Sequence, residues 1–237
     1  MTDLADLRAR VAAANAAIHD AGLVTLSFGN VSGVARDAGV MVIKPSGVAY
    51  AELRPETMVT VALDDGSVVD GSLQPSTDTP THRLLYREFP EIGGVVHTHS
   101  RSATAWAQAG RAIPCLGTTH ADYFRGSVPV SRSLTPAEVD GDYEWETGKV
   151  VCETLRDGGR APADAPAVLV ASHGPFAWGE TPEKAVEAAI ALEAVADMAF
   201  RTLTIEASAT EVGEALLRRH FDRKHGAGAY YGQRTRT

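Results

Sequence analysis

Four side chains in this sequence could converge on a divalent cation. His97 and His99 stand two residues apart in the run GGVVHTHS. If that apolar run is a strand, side chains repeat every two residues, so both imidazoles leave one face and can meet at one point. His173 follows a second apolar run, AVLVAS, and precedes a Gly-Pro turn, which places it at a strand end as well. Asp78 supplies a carboxylate just ahead of TPTHRLLYREFP. Three imidazoles with a carboxylate nearby make a donor set for a divalent metal, and imidazole-rich sites favour zinc among the common ions.

A second group of residues suits an anion. Gly29 and Asn30 lie in LSFGNVSG, and Lys44 directly precedes Pro45-Ser46-Gly47. Glycines beside small polar residues let backbone N–H groups approach an anion closely. Ser76, Thr77 and Asp78 come just before Thr79-Pro80, which reads as an N-cap and first helical residue. They therefore sit at a helix N-terminus, where free N–H groups and the dipole favour a phosphate or carboxylate. The same residues have plainer uses. Gly29, Asn30, Ser46 and Gly47 build turns, Asp78 can assist a cap, and His82 on the helix reads as a packed or surface histidine. Asp122, beside His120 and Tyr123 in GTTHADYFRG, is either a turn former or, next to a metal, a general acid or base.

The elements that must position these groups alternate between helix-like and strand-like. Leu4, Leu7, Val11, Ala14 and Ile18 recur at helical spacing up to a stop at Gly22. LVTLSFGNVSGVAR reads as a strand paired with VMVIKPSGVAY across a turn near 37–39, and MVTVALDDGSVVDG as a hairpin turning at Asp64-Asp65-Gly66. SATAWAQAG predicts a helix ending at Gly110, Thr135-Pro-Ala-Glu138 a capping box, and Pro182 the start of a long Ala-rich helix. The stretch 220–237, HFDRKHGAGAYYGQRTRT, is polar, glycine-containing and aromatic. It either reaches over a site, on this subunit or a neighbour, or is a frayed end.

Composition narrows the class. With 237 residues in continuous alternation, one domain is expected. The 22 basic and 30 acidic residues leave a net charge of -8, which argues against a general nucleic-acid binder. No apolar stretch reaches membrane-spanning length and the start, MTDLADLRAR, lacks a basic-then-apolar signal, so no membrane partner is expected. Cys115 and Cys152 lie far apart without a CxxC pattern, which fits a reducing cytoplasmic setting better than a disulfide framework. Neither a Rossmann glycine pattern nor a P-loop occurs. The anion is therefore expected to belong to a small substrate rather than to a nicotinamide, flavin or other nucleotide.

The strings GNVSGV, IKPSGV, PSTDTPTHRLLY, GGVVHTHS, GTTHADYF, YEWETG, SHGPFAWG and KHGAGAYYGQ, in this order, closely resemble the L-ribulose-5-phosphate 4-epimerases of the class II aldolase/adducin-type family. The likeness covers nearly the whole chain and is weakest around 158–166 and 204–214. It implies an α/β fold, a three-layer αβα sandwich around a central, predominantly antiparallel sheet. It further implies a single domain over 1–237 whose tail, 220–237, completes the active site, and a homotetramer with active sites between adjacent subunits. One zinc per subunit would be held by His97, His99 and His173, with Asp78 at the metal. Related aldolases tend to carry Glu where Asp78 stands, so the shorter side chain favours the epimerases. Gly29, Asn30, Lys44, Ser46, Gly47, Ser76 and Thr77 match the pocket for a sugar phosphate, Thr77 replacing a more usual Ser. The implied reaction interconverts L-ribulose 5-phosphate and D-xylulose 5-phosphate at C4 by retro-aldol cleavage and re-addition, as in L-arabinose or related pentose catabolism. Asp122 and Tyr231 take the acid and base roles, and His220 and Glu144 match residues near the site.

Overall fold

In the computed structural model, which describes residues 2–226 and 228–230, one sheet carries most of the candidate residues. Its strands are β1 (Asn30–Ala35), β2 (Val40–Ile43), β3 (Val59–Ala62), β4 (Val68–Asp70), β5 (Gly94–His97), β6 (Ala167–Val170) and β7 (Gly174–Gly179). They lie in the order β4-β3-β2-β1-β5-β7-β6, and each neighbouring pair is antiparallel. The helices are α1 (Leu4–Asp20), α2 (Thr79–Glu88), α3 (Arg101–Gln108), α4 (Thr118–Ala121), α5 (Pro136–Asp140), α6 (Tyr143–Asp157), α7 (Pro182–Ile205) and α8 (Glu214–His225).

The strand period of two divides the core. Val31, Val42, Val96 and Ala177 pack with Leu7, Val11, Trp106 and Leu192 from α1, α3 and α7. Their sequence neighbours Met41, Ile43, Val95 and Phe176 pack on the other side with Leu84, Leu85, Val151 and Leu155 from α2 and α6. Two helical layers thus enclose the sheet in a three-layer αβα sandwich, which is why its central strands carry near-continuous apolar runs. The hairpin at Gly66, the capping box at Thr135 and the long helix from Pro182 all form where the sequence places them. Cys115 and Cys152 are free and buried. Among the described residues no helix is long and apolar enough to cross a membrane.

Three local expectations shift. The strand read from residue 23 onward starts only at Asn30, because Leu26 and Gly29 turn into the left-handed region, with φ of 55° and 83°. Helix α2 takes Asp78 rather than Thr79 as its N-cap residue, yet the Asp78 side chain makes no capping bond. Residues 220–225 are not a frayed end. They complete α8, anchored by the buried Phe221, which stacks on His225 at 4.6 Å.

Candidate metal centre and anion pocket

His97 is the last residue of β5 and lies opposite Asn30 on β1 and Phe176 on β7. Directly opposed residues share a face of a sheet, so this row faces α2 and α6. His99 comes just beyond the strand end, and its Nε2 lies 3.1 Å from Nε2 of His97. His173 sits in the turn between β6 and β7, and the three histidines offer donor atoms within 4.8 Å of one another. Zn–N bonds around a tetrahedron put neighbouring donors roughly 3.4 Å apart, so the three fit one ion.

Two of the three rings are held from behind, while His99 is exposed. The carbonyl of Pro175 lies 3.0 Å from His97 Nδ1. A carbonyl can only accept, so Nδ1 donates there and the ring turns Nε2 toward the other histidines. Phe176 stacks on the same ring at 4.2 Å, and the Tyr143 hydroxyl is 3.2 Å from His173 Nδ1. Burial, reinforced by His97 and His99 and opposed by Asp78, pushes the His173 pKa down to about 4. Burial lowers His99 as well. Both therefore stay neutral at ordinary pH, which is the form that binds a metal.

Asp78 borders this cluster. Burial alone would raise its carboxyl, but His97, His82 and the hydrogen bond from Asn30 outweigh it, and the pKa falls below the usual carboxylate range. Asn30 Nδ2 donates to Asp78 Oδ2 at 2.6 Å and to Ser76 Oγ at 3.0 Å. Lys44 is buried, with Nζ 3.2 Å from the Ser27 carbonyl and 5.1 Å from the Tyr50 ring centre. Burial lowers its pKa and Asp78 acts to raise it. Ser76 N–H donates to the Lys44 carbonyl at 3.0 Å and Ser46 N–H to that of Gln74 at 2.9 Å. These two bonds tie the loop bearing Ser46 and Gly47 to the segment bearing Ser76, Thr77 and Asp78. Ser46, Gly47 and Thr77 are exposed at its rim. At Gly29 a Cβ would come within 3.0 Å of the His97 carbonyl oxygen, so only glycine fits there. Glu144, in the first turn of α6, accepts a bond from Thr81 Oγ1 through its backbone carbonyl.

Asp122 belongs to a different cluster. It ends α4, and Arg223 grips its carboxylate with Nε at 2.8 Å and Nη2 at 2.5 Å. His220 Nδ1 lies 3.0 Å from Oδ1. Burial acts against the charge, but Arg223 and His220 overcome it and hold the carboxyl below its ordinary range. The charges acting on His173 come instead from His97, His99 and Asp78. Tyr231 lies outside the described residues. A cavity of about 560 Å³ beside Tyr123 and Lys224 opens against Ile92, Trp178 and Gly179, at the other end of β5 and β7 from the histidines.

Tyr143, Phe176 and Arg223 escaped the sequence reading. Their signal was weak: Tyr143 opens a helix and Phe176 sits in an apolar strand, positions that packing alone accounts for.

The fold and these contacts define an α/β sandwich with a place for one divalent metal beside a small polar pocket. The chain belongs to the family of class II aldolase and adducin N-terminal domains, which matches residues 9–200. Class II aldolases typically depend on a divalent metal, and the three-histidine cluster is where this chain could hold one. Among solved structures it is similar to an L-fuculose 1-phosphate aldolase, with a TM-score of 0.77, 21% identity, and coverage of 92% of this chain and 95% of that one. It is also similar to YgbL from Escherichia coli, provisionally assigned as an aldolase, epimerase or decarboxylase, with a TM-score of 0.71, 26% identity, and coverage of 91% and 98%. The corresponding YgbL from Klebsiella pneumoniae gives 0.72, 24%, and coverage of 92% and 99%.

Proposed function

We propose that the protein is a zinc-dependent epimerase that interconverts L-ribulose 5-phosphate and D-xylulose 5-phosphate by breaking and remaking the C3–C4 bond. The observation that carries this reading is the convergence of three imidazoles beside Asp78, Asn30 and the buried Lys44 at one end of β1 and β5. His97, His99 and His173 would hold the ion, with Asp78 next to them. Bound there, zinc supplies Lewis acidity to the carbonyl end of the sugar and stabilises the negative charge that develops as the bond breaks. Lys44, Ser76, Thr77 and the N-terminus of α2 receive the phosphate, with Gly29, Asn30, Ser46 and Gly47 shaping the pocket. Asp122, held ionised by Arg223 and beside His220, and Tyr231 act as the acid and base on the two faces of the aldehyde, one taking the C4 hydroxyl proton and the other returning one. Glu144 is a secondary candidate near Tyr143.

Because Asp122 answers to Arg223 and His220 rather than to the histidines, its cluster is assigned to the metal site of an adjacent copy. The active species is then a homotetramer, one domain per chain with 220–237 completing the neighbour's site, acting in cytoplasmic pentose catabolism. Asp78, where aldolases tend to carry Glu, favours the epimerase; the likeness to a fuculose-phosphate aldolase favours the second reading, an aldolase that releases its fragments. Zinc-loaded protein is incubated with L-ribulose 5-phosphate, D-xylulose 5-phosphate is followed by a coupled reaction and free aldehyde by NMR. Ketose interconversion without fragments supports the epimerase. Net release of dihydroxyacetone and glycolaldehyde phosphate replaces it with the aldolase.

A further inference from the structure

Between α2 and β1 runs a line of polar groups, three of which, Ser32, His82 and Tyr86, the proposed reaction does not use. Asp78, the N-cap residue of α2, and His82 and Tyr86 within it are four apart and share one side of the helix, about 6 Å from one to the next. On β1, residues 30 and 32 are two apart and share one face of the sheet, at nearly the same spacing of about 6.7 Å. The two repeats match, and the side chains meet in rungs. Asn30 donates to Asp78 at 2.6 Å, Ser32 Oγ lies 2.7 Å from His82 Nδ1, and the same Oγ lies 2.7 Å from the Tyr86 hydroxyl.

Ser32, His82 and Tyr86 are fully buried among apolar neighbours that include Leu85, Val95 and Phe176. Such a position does not call for polar residues on grounds of stability. Buried polar groups in a core cost desolvation, and apolar replacements of similar volume are often neutral or stabilising. What they can confer is a unique register. Sliding α2 by one turn would bring His82 opposite Asn30 and carry Asp78 about 5.4 Å away from its place. Asn30 in turn lies opposite His97 in the sheet, so the height of α2 on β1 is also the height of Asp78 relative to the histidines.

We infer that Ser32, His82 and Tyr86 are positioning residues, a buried ladder that holds Asp78 at the metal cluster. This rests on the reading that Asp78 lies at the metal. The working atom of His82 is Nδ1, since Nε2 is buried and has no hydrogen-bond partner among the described residues. The ladder therefore depends on the bond to Ser32, and any side chain that offers a polar atom at the δ position should preserve it.

The test uses the full-length metal-free protein titrated with Co²⁺, reading affinity and the visible absorption of the bound ion, with a melting curve on each variant. His82→Phe, which keeps a ring, and Ser32→Ala, which removes the shared hydroxyl and should lower the melting temperature, should each weaken Co²⁺ binding about tenfold or more and alter the spectrum. The melting temperature of metal-free His82→Phe should hold or rise. His82→Asn keeps the δ polar atom and should restore Co²⁺ affinity to within about threefold, even though its smaller volume lowers the melting temperature. Wild-type Co²⁺ affinity and spectrum in both His82→Phe and Ser32→Ala overturn the inference, leaving the ladder a feature of packing. Equal loss in His82→Asn and His82→Phe overturns it too. Asp78→Asn in the same titration separates the two layers of argument: if it leaves the Co²⁺ spectrum unchanged, Asp78 is not at the metal and the ladder has nothing to position.

Discussion

The histidine corner and the Asp122 cluster are built in opposite ways. The corner grows from β1, β5 and β7, three adjacent strands of the sheet, and the partners of His97 in it are a buried backbone carbonyl and a buried ring. Asp122 ends a four-residue helix, and the groups that hold it arrive from α8, about a hundred residues later and just before the end of the described chain. The difference is one of what fixes each site. Core packing fixes His97, the buried member of the corner. A partly exposed ion pair holds Asp122, in a medium where such pairs contribute about 1 kcal/mol or less.

The sharpest way to break this comparison is to remove a ligand. His97→Asn should abolish metal binding and turnover together, measured as zinc stoichiometry by elemental analysis and rate on L-ribulose 5-phosphate. Retained zinc at full stoichiometry would show that the histidines are not the ligands. Next, Asp122→Asn and Tyr231→Phe should lower turnover by about 10²–10⁴-fold while zinc content stays at the wild-type level. Asp122→Asn should move the melting temperature by only a few degrees. Loss of zinc in either variant would mean that its side chain helps to hold the ion and is not confined to proton transfer.

Acid separates the regions further. His82, His120 and His173 are held neutral, chiefly by burial, with pKa values of about 3, 4 and 4. Below 6.5 the unfolded chain takes up protons on these residues and the folded one does not, so stability falls as pH drops from 6.5 toward 4. Each contributes up to about 1.4 kcal/mol per pH unit in that window. Asp122 acts lower down. Its depressed pKa gives a stabilisation present above the ordinary carboxylate value and lost only as pH falls through the folded one. Urea midpoints of metal-free protein should therefore drop steadily between pH 6.5 and 4.5. The gap between wild type and Asp122→Asn should stay constant over that range and close only below about pH 4. A gap that closes by pH 5 would mean that Arg223 does not hold the carboxylate as the contacts indicate.

The same contrast explains what the sequence revealed. His97 and the turn at His173 could be read because each follows an apolar run that forms a strand, whereas His99 joins the cluster from just beyond the strand end rather than by the strand repeat. The hairpin at Gly66 and the capping box at Thr135 were legible for a similar reason, since local chemistry dictates both. The strand start at Asn30 was not, because Leu26 adopts a left-handed conformation that its side chain does not announce. Nor could the grip of Arg223 and His220 on Asp122 be read, since nothing local links positions a hundred residues apart. The matched spacing of Asp78, His82 and Tyr86 on α2 with Asn30 and Ser32 on β1 is visible in the letters only once the register of the two elements is known.

The smallest effect probes how rigid the corner is. Gly29 and Gly47 both belong to the proposed pocket and both have positive φ, 83° and 69°. At Gly47 a Cβ would meet nothing within 4 Å, so Gly47→Ala should cost only the left-handed strain of about 1–2 kcal/mol. At Gly29 the same methyl would lie 2.9 Å from Val24 Cγ1 and 3.0 Å from the His97 carbonyl oxygen. Val24 can turn aside, but the His97 carbonyl belongs to the strand that presents the imidazole. Gly29→Ala should therefore carry a larger drop in melting temperature and also weaken metal binding, whereas Gly47→Ala should leave metal binding untouched. Equal metal affinity in the two variants would mean that the strand end yields without moving the ring, and that the rings behind the histidines, rather than the backbone, keep the corner in place.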